Sequence, residues 1–435
     1  MTDHDARMSR DLTRRRFLQG TALTGVAAFL AACTGTRSSA SPAASTGAAS
    51  ASTGAASASA SASATAAASA SAEATESAAA ATTATATGPL KFANWPAYVD
   101  LAGKAGEAGE YSAGSSPTLE QFKAKYKIDV DYQEKIGDNS SFVETIKPAL
   151  VGGLATGWDL IVVTDWMASK IIANGWAEKI DQANVPNCTA NVRDALKGYS
   201  WDPTNDYHYP WQSGMTGIGV NTKALSENKI AEPTKLADLW TIPADKLTFL
   251  SEARDTFGLV LLKLGIDANA DTVTVEQLQQ AHDDIKPLVD KGLRFTGNEY
   301  LQDFGQKKVW GAFVWSGDLA SSGGKDDKFI FPEEGTLIWT DNMLIPKGAA
   351  NKYTAELMMD FVYDPKIAAQ IANYVYYVSP VKGADVEIKK LDAEAAVNPL
   401  LFPTAQVVAK QHSFQSLSEE MEAKLNDLFA NLSGT

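Results

Sequence analysis

Cysteine, histidine and long apolar runs are all scarce in this chain, and each scarcity removes a class of function. Its 435 residues hold two cysteines and four histidines. Cys33 and Cys188 make neither a disulfide framework nor a cysteine-rich metal site. His4, His208, His282 and His412 are scattered, without metal-ligand spacing or an obvious serine or cysteine partner, which argues against a zinc centre or a hydrolase triad. No Walker or dinucleotide-type glycine loop is there to cradle a phosphate. The apolar stretch from 21 to 32 rises only about 18 Å as a helix, short of a hydrocarbon core of ~30 Å, so it does not read as a membrane span. Basic residues number 38 against 52 acidic ones, and the net charge of −14 argues against nucleic acid. Residues 34 to 88 are almost entirely Ala, Ser, Thr and Gly, with no large apolar side chain to repay the entropy of ordering. That composition predicts a disordered tether with a reach of roughly 40 Å.

What is present begins with an address. Thr13-Arg14-Arg15-Arg16-Phe17-Leu18 fits the charged start of a twin-arginine leader, and residues 21 to 32 are its apolar segment. Cys33, directly after Leu30-Ala31-Ala32, resembles the lipobox of bacterial lipoproteins, in which the thiol takes a diacylglyceryl group and the leader is cut just before it. Two acyl chains anchor stably where one does not. The expectation is therefore a signal peptide over 1–32, a lipidated Cys33 with its tether over 33–88, and an exported protein held at the outer face of the cytoplasmic membrane. Loss of the leader removes five arginines and three aspartates and takes the net charge from −14 to −16.

The remaining ~350 residues alternate strand and helix signals and are enough for two lobes. Leu90–Asn94 reads as a strand, and Thr118-Leu-Glu-Gln121 reads as a capping box opening a helix with Leu119, Phe122 and Tyr126 on one face. Ile128–Tyr132 and Trp158–Val163 read as strands, with Asp165 capping a helix that stops near Gly175. Lys246–Leu250 leads into a helix over 251–264, and Thr274-Val-Glu-Gln277 is a second capping box. This is βαβ grammar, predicting an α/β fold with mostly parallel sheets covered by helices.

Tryptophans gather where strands hand over to loops: Trp95, Trp166, Trp315 and Trp339. In open parallel sheets ligands bind beyond the carboxyl ends of strands, so these positions suit a cleft. Glu252 and Asp255 are neighbours on the first turn of one helix, where the macrodipole favours acids whatever the function. Aromatic faces and carboxylates together are what a flexible aliphatic polycation needs. Two other readings stand beside this one. An exported glycan hydrolase would use Glu252 and Asp255 as its acid and base, although one helical turn places them poorly to flank a glycosidic bond. A ferric-ion receptor would use the clustered Tyr374, Tyr376 and Tyr377.

From Leu90 to the C-terminus the chain resembles the spermidine/putrescine-binding subunits of bacterial polyamine ABC importers. Phe92-Ala-Asn-Trp-Pro-Ala-Tyr98, Trp158-Asp-Leu-Ile-Val-Val-Thr-Asp-Trp166, Asn205-Asp-Tyr-His-Tyr-Pro210 with Gly217-Ile-Gly-Val-Asn221, Ser251-Glu-Ala-Arg-Asp-Thr-Phe257, Val314-Trp-Ser-Gly317, and Phe331-Pro-Glu-Glu-Gly335 through Trp339-Thr-Asp341 carry it by their order and spacing. The resemblance implies a two-lobed periplasmic-binding-protein type II fold with the ligand cleft between lobes. Lobe one would be 89–216 plus 340–385, lobe two 217–339 plus 386–435, with hinges near Gly217 and Thr340. It implies a monomeric binding protein rather than an enzyme, with no cofactor or metal, a polyamine ligand and permease partners. By the same resemblance Trp95, Tyr98, Trp166, Trp315 and Trp339 form an aromatic cage, and Thr164 supplies a hydroxyl. Asp255 receives a terminal ammonium, Glu252 and Asp341 lie near an inner amine, and Tyr377 and Gln415 are further contacts. Pro96-Ala97 replaces the Thr-Glu common at that point of the first motif, so a polar partner for one ligand end is lost, and a Gly/Ala-rich insertion from Leu101 to Ser116 follows. Asp165 is placed to replace the missing carboxylate. The choice between spermidine and putrescine stays open.

Overall fold

The structure, a computed structural model, describes residues 85–100, 111–112, 116–268, 272–413 and 417–434. Cys33, the leader, the tether up to residue 84, most of the 101–116 insertion and Gln415 lie outside these residues; the end expected of the tether is part of the body, since the Thr87 N–H donates to Thr354 Oγ1 at 3.0 Å and its hydroxyl to Asn351 Oδ1 at 2.7 Å.

Among the described residues eleven strands form the sheet: β1 (Leu90–Asn94), β2 (Tyr111–Ser112), β3 (Val130–Glu134), β4 (Leu160–Thr164), β5 (His208–Asn221), β6 (Leu247–Leu250), β7 (Arg294–Thr296), β8 (Gly311–Trp315), β9 (Asp327–Ile330), β10 (Thr336–Leu344) and β11 (Gln411–His412). Its main path runs β2-β3-β1-β4-β10-β5-β8-β6-β7. On one side β3, β1 and β4 are parallel, and on the other β7, β6 and β8 are parallel, as βαβ connections require. Between them β5 and β10 run antiparallel to each other, so the sheet as a whole is mixed. β5 carries both halves. Its residues up to Thr216 pair with β10, and from Thr216 onward it pairs with β8 and β9.

Among the described residues the helices of eight or more residues are α1 (Pro117–Tyr126), α2 (Asn139–Val151), α3 (Asp165–Ala173), α4 (Ala253–Lys263), α5 (Val275–Val289), α6 (Lys352–Val362), α7 (Pro365–Val375), α8 (Ala384–Leu391) and α9 (Glu419–Ser433). The Thr274 capping box forms as expected at the start of α5, with both reciprocal bonds to Gln277. At α1 the cap is Ser116 instead of Thr118. Ser116 Oγ accepts the Leu119 N–H, and Pro117 takes the first helical position, where its missing N–H costs nothing. Thr118 is buried inside the first turn and accepts a bond from Gln370. At α3 the cap position falls to Thr164, and Asp165 stands one place inside, accepting the Trp166 N–H.

α6 and α7 pack on each other, α7 packs on α1, and α8 packs on α7. The expected return to the other half at 385/386 falls inside α8. α9 packs on α4 and α5 and closes that half. Burial follows the layers: β1, β4, β5, β6 and β8 contribute fully buried Phe92, Val162, Ile218, Phe249 and Phe313, with Phe249 and Phe313 stacked at 3.9 Å. Cys188 is buried and unbonded. Among the described residues no helix is long and apolar enough to cross a membrane.

Candidate functional site

The carboxyl ends of β1, β4, β6 and β8 all open onto one place, which is where side chains leave a parallel sheet for the loops beyond it. There a cavity of about 690 Å³ of empty space, part of it open to solvent, is bordered by eleven of the twelve expected ligand contacts: Trp95, Tyr98, Thr164, Asp165, Trp166, Glu252, Asp255, Trp315, Trp339, Asp341 and Tyr377. The twelfth, Gln415, is outside the described residues.

Each ring is fixed by its one polar atom or by a close backbone approach. Trp95 Nε1 donates to the Val162 carbonyl at 3.1 Å, and Trp315 Nε1 donates to Asp255 at 2.8 Å. Trp339 Nε1 donates to Thr216 Oγ1 at 3.0 Å, and Thr216 donates in turn to Asp255 at 2.7 Å. The Trp339 ring lies against β5 because residue 214 is glycine: a Cβ there would stand 2.4 Å from the indole. Gly317 does the same for Tyr377, whose ring would meet a Cβ at 2.6 Å. Tyr98 and Tyr377 meet edge to face with centroids 5.3 Å apart.

The acids are held as tightly. Asp341 accepts from Tyr98 Oη and from Thr164 Oγ1, both at 2.8 Å. Glu252 accepts from Asn139 Nδ2 at 3.2 Å, and the same amide donates to Thr164 at 2.9 Å. Glu252 stands at the N-cap of α4 and Asp255 inside its first turn, so the two acids adjacent on the helix take different partners. Burial is the main reason every one of these carboxyls holds its proton more strongly than usual. It pushes Glu252 up to about 8, with the neighbouring charges of Asp255 and Asp138 adding to it. Asp341 rises to about 7 against the opposing bonds from Tyr98 and Thr164. Asp255 rises to about 6 against its Trp315 and Thr216 bonds, and Asp165 to about 6 against the Trp166 N–H and Arg254.

Several bordering residues went unread in the sequence: Asn139, Arg254, Asn298 and Asp318. Asn139 opens the helix after β3, a strand-end position that the same cleft rule marks. Arg254 sits between the two acids taken as a pair. Its guanidinium lies 4.1 Å from the Trp166 ring and 3.7 Å from Glu422, and burial lowers it to about 10, still charged at neutral pH. The three tyrosines proposed for iron do not converge. Tyr377 turns to the cavity and donates to Asp318, while Tyr376, in a left-handed conformation at the end of α7, reaches Asp392. Among the described residues no group of three or more His, Cys, Asp or Glu is arranged to hold a metal ion.

The chain is similar in sequence and in fold to known proteins. A spermidine/putrescine-binding periplasmic protein of Salmonella typhimurium is 28% identical over 324 residues, covering 74% of this chain and 85% of that one. The putrescine-binding periplasmic protein PotF of Escherichia coli is 27% identical over 284 residues, covering 61% of this chain and 75% of that one. In fold, the Tp0655 (TpPotD) lipoprotein of Treponema pallidum matches with a TM-score of 0.63 at 19% identity over 80% of this chain and 99% of that one. The family model for bacterial extracellular solute-binding proteins matches residues 154–409, more than half of the sequence, and the chain belongs to that family.

Proposed function

We propose that this protein captures a polyamine, spermidine or putrescine, between two lobes outside the cytoplasm and delivers it to an ABC permease. One observation carries the reading: five carboxylates (Asp165, Glu252, Asp255, Asp318, Asp341) and a single guanidinium (Arg254) line a cavity walled by six aromatic rings. The lining has a formal charge of −4 with every acid ionised. Sugars would use the rings but have no use for that charge. Charge-assisted hydrogen bonds contribute about 1.5–3 kcal/mol each and cation–π contacts roughly 0.5–2, so three or four of them offset ordering and desolvation and still leave a micromolar affinity near −8 kcal/mol.

In this reading Asp255 receives a terminal ammonium, Glu252 and Asp341 serve an inner amine, and the Trp and Tyr faces hold the methylenes. Asp165 and Thr164 complete the polar lining. The lobes are 89–216 with 340–385, and 217–339 with 386–435. β5 and β10 serve as hinge strands, with hinges near Gly217 and Thr340. Closure about them would give the permease a form distinct from the empty one. The protein acts as a monomer, exported by the twin-arginine leader and anchored through lipidated Cys33.

Calorimetry on the mature chain with spermidine, putrescine, 4-aminobutyrate and a neutral disaccharide tests it. Heat is expected with the first two only. Asp255→Ala and Trp339→Ala should each lose about 2–3 kcal/mol of that binding without loss of fold by circular dichroism. Heat with the sugar or the zwitterion and none with either amine would overturn the proposal.

A further inference from the structure

A second chamber stands beside the ligand cavity and has no role in the reading above. It holds about 1500 Å³ of empty space, part of it open to solvent. Asp138 and Ser141 come to it from the start of α2, Phe295 from β7, and Glu422 and Phe429 from α9. Its lining is of the same kind as that of the first cavity, carboxylates beside aromatic faces, and the Phe295 and Phe429 rings meet with centroids 4.9 Å apart.

Among the described residues Trp166, Glu252 and Arg254 border both spaces and so form the partition between them. Arg254 is buried. Its guanidinium carbon lies 4.1 Å from the centre of the Trp166 ring, and its Nη2 stands 3.7 Å from Glu422, which lines the second chamber alone. Stacking on an indole and attraction to a carboxylate fix a guanidinium in one place. At this place it acts twice on a cationic chain: its bulk stands between the two spaces, and its charge repels an ammonium that goes further.

We propose that Arg254 is a length stop, a selectivity residue that closes the ligand cavity beside Glu252 and keeps out linear amines longer than a triamine. The inference rests on the polyamine reading and deepens it. A diamine or triamine lies wholly within the first cavity. A tetraamine such as spermine carries one more aminopropyl arm and a fourth charge, and that arm enters the second chamber only past Arg254. Shortening Arg254 does not leave Glu422 without a cation, because Lys170 Nζ stands 2.9 Å from its other oxygen.

The test reads selectivity for chain length rather than affinity alone. Spermidine and spermine affinities are measured by calorimetry on wild type, Arg254→Ala and Glu422→Gln. Wild type should bind spermine at least about tenfold more weakly than spermidine, and Arg254→Ala should close that gap to within about threefold. Glu422→Gln removes the charge that Arg254 meets on α9 but leaves the guanidinium over Trp166, so its spermidine-to-spermine ratio should stay near the wild-type one. Should Arg254→Ala fail to fold, Arg254→Leu, shorter and uncharged but still apolar against Trp166, supplies the same comparison. A wild type that binds both amines equally, or an unchanged ratio in the shortened variant, would overturn the inference. A ratio in Glu422→Gln that moves as far as in Arg254→Ala would make Arg254 a strut between α4 and α9 and overturn it too. Failure of wild type to bind any polyamine would instead break the reading on which it rests.

Discussion

At the residue scale, the cavity acids carry a pH dependence whose sign is fixed by burial. Glu252, Asp341, Asp255 and Asp165 are raised to about 8, 7, 6 and 6. An alkylammonium ligand with a pKa like that of lysine, ≈ 10.4, stays charged and binds the ionised carboxylates. Affinity should therefore climb from pH 5 to pH 8 by about tenfold or more, with protons released on binding. Titrations in two buffers of different ionisation enthalpy measure that release directly. Stability of the unliganded protein runs the other way. Its folded state holds protons on these acids that the unfolded chain gives up, so their contribution is fully present below the ordinary carboxylate range and is lost as pH rises through about 6 to 8. The melting temperature of the empty protein should fall over that window, and Glu252→Gln should flatten the fall. An unchanged pH profile in Glu252→Gln would mean that the titrating groups lie elsewhere.

At the scale of elements, α3 and α9 come from opposite halves of the sheet and are tied by one carboxylate. Lys170 Nζ on α3 stands 2.9 Å from Glu422 Oε1 on α9, and Arg254 Nη2 stands 3.7 Å from Glu422 Oε2 while its guanidinium covers Trp166 of α3. Glu422 is buried, so the tie is less screened than a surface pair. It lies outside the lining of the ligand cavity, and a contact of this kind favours the closed arrangement of the lobes without reading the ligand. Glu422→Gln should therefore weaken spermidine and putrescine by the same factor, roughly fivefold, chiefly through faster release. Stopped-flow dissociation checks it, and a factor that differs between the two ligands would place Glu422 in recognition instead.

The same scale shows what the sequence could and could not tell. Elements with local chemistry were legible: β1, the Thr274 box of α5, and Trp95, Trp166 and Trp315 at the ends of β1, β4 and β8, whereas Trp339, expected at a strand end, reaches the same cavity from the middle of β10. The Ser116 cap was missed because Thr118 with Gln121 satisfies the same spacing, and only Pro117 at the first helical position decides between them. β5 was harder. All fourteen of its residues are buried, so it has no alternating pattern, and Pro210, Gly214, Gly217 and Gly219 read as breaks. All three of those glycines are crowded by partners distant in sequence, Gly214 by Trp339, Gly217 by Phe329 and Gly219 by Val314, which no local pattern reveals. Arg254 and Asp318 were passed over for a related reason. A charge at a helix start is explained well enough by the dipole, and only the fold turns it toward a cavity.

For the whole molecule, charge and attachment pull in different directions. The chain carries a net −14, a charge that draws small cations toward it from bulk and that anionic lipid surfaces repel. The net charge gives no attraction to an anionic lipid surface, and among the described residues no helix is long and apolar enough to cross a membrane. In the proposed reading attachment comes through the Leu30-Ala31-Ala32-Cys33 motif, as a diacylglyceryl thioether worth two acyl chains. Cys33→Ser should accordingly move the protein from the detergent phase to the aqueous phase in a Triton X-114 partition, while spermidine affinity stays within about twofold of wild type, since Cys33 lies more than fifty residues before β1. An aqueous-phase wild type would remove the lipid anchor. Loss of affinity in a soluble Cys33→Ser protein would tie the leader region to the ligand site, which nothing in the cavity's lining requires.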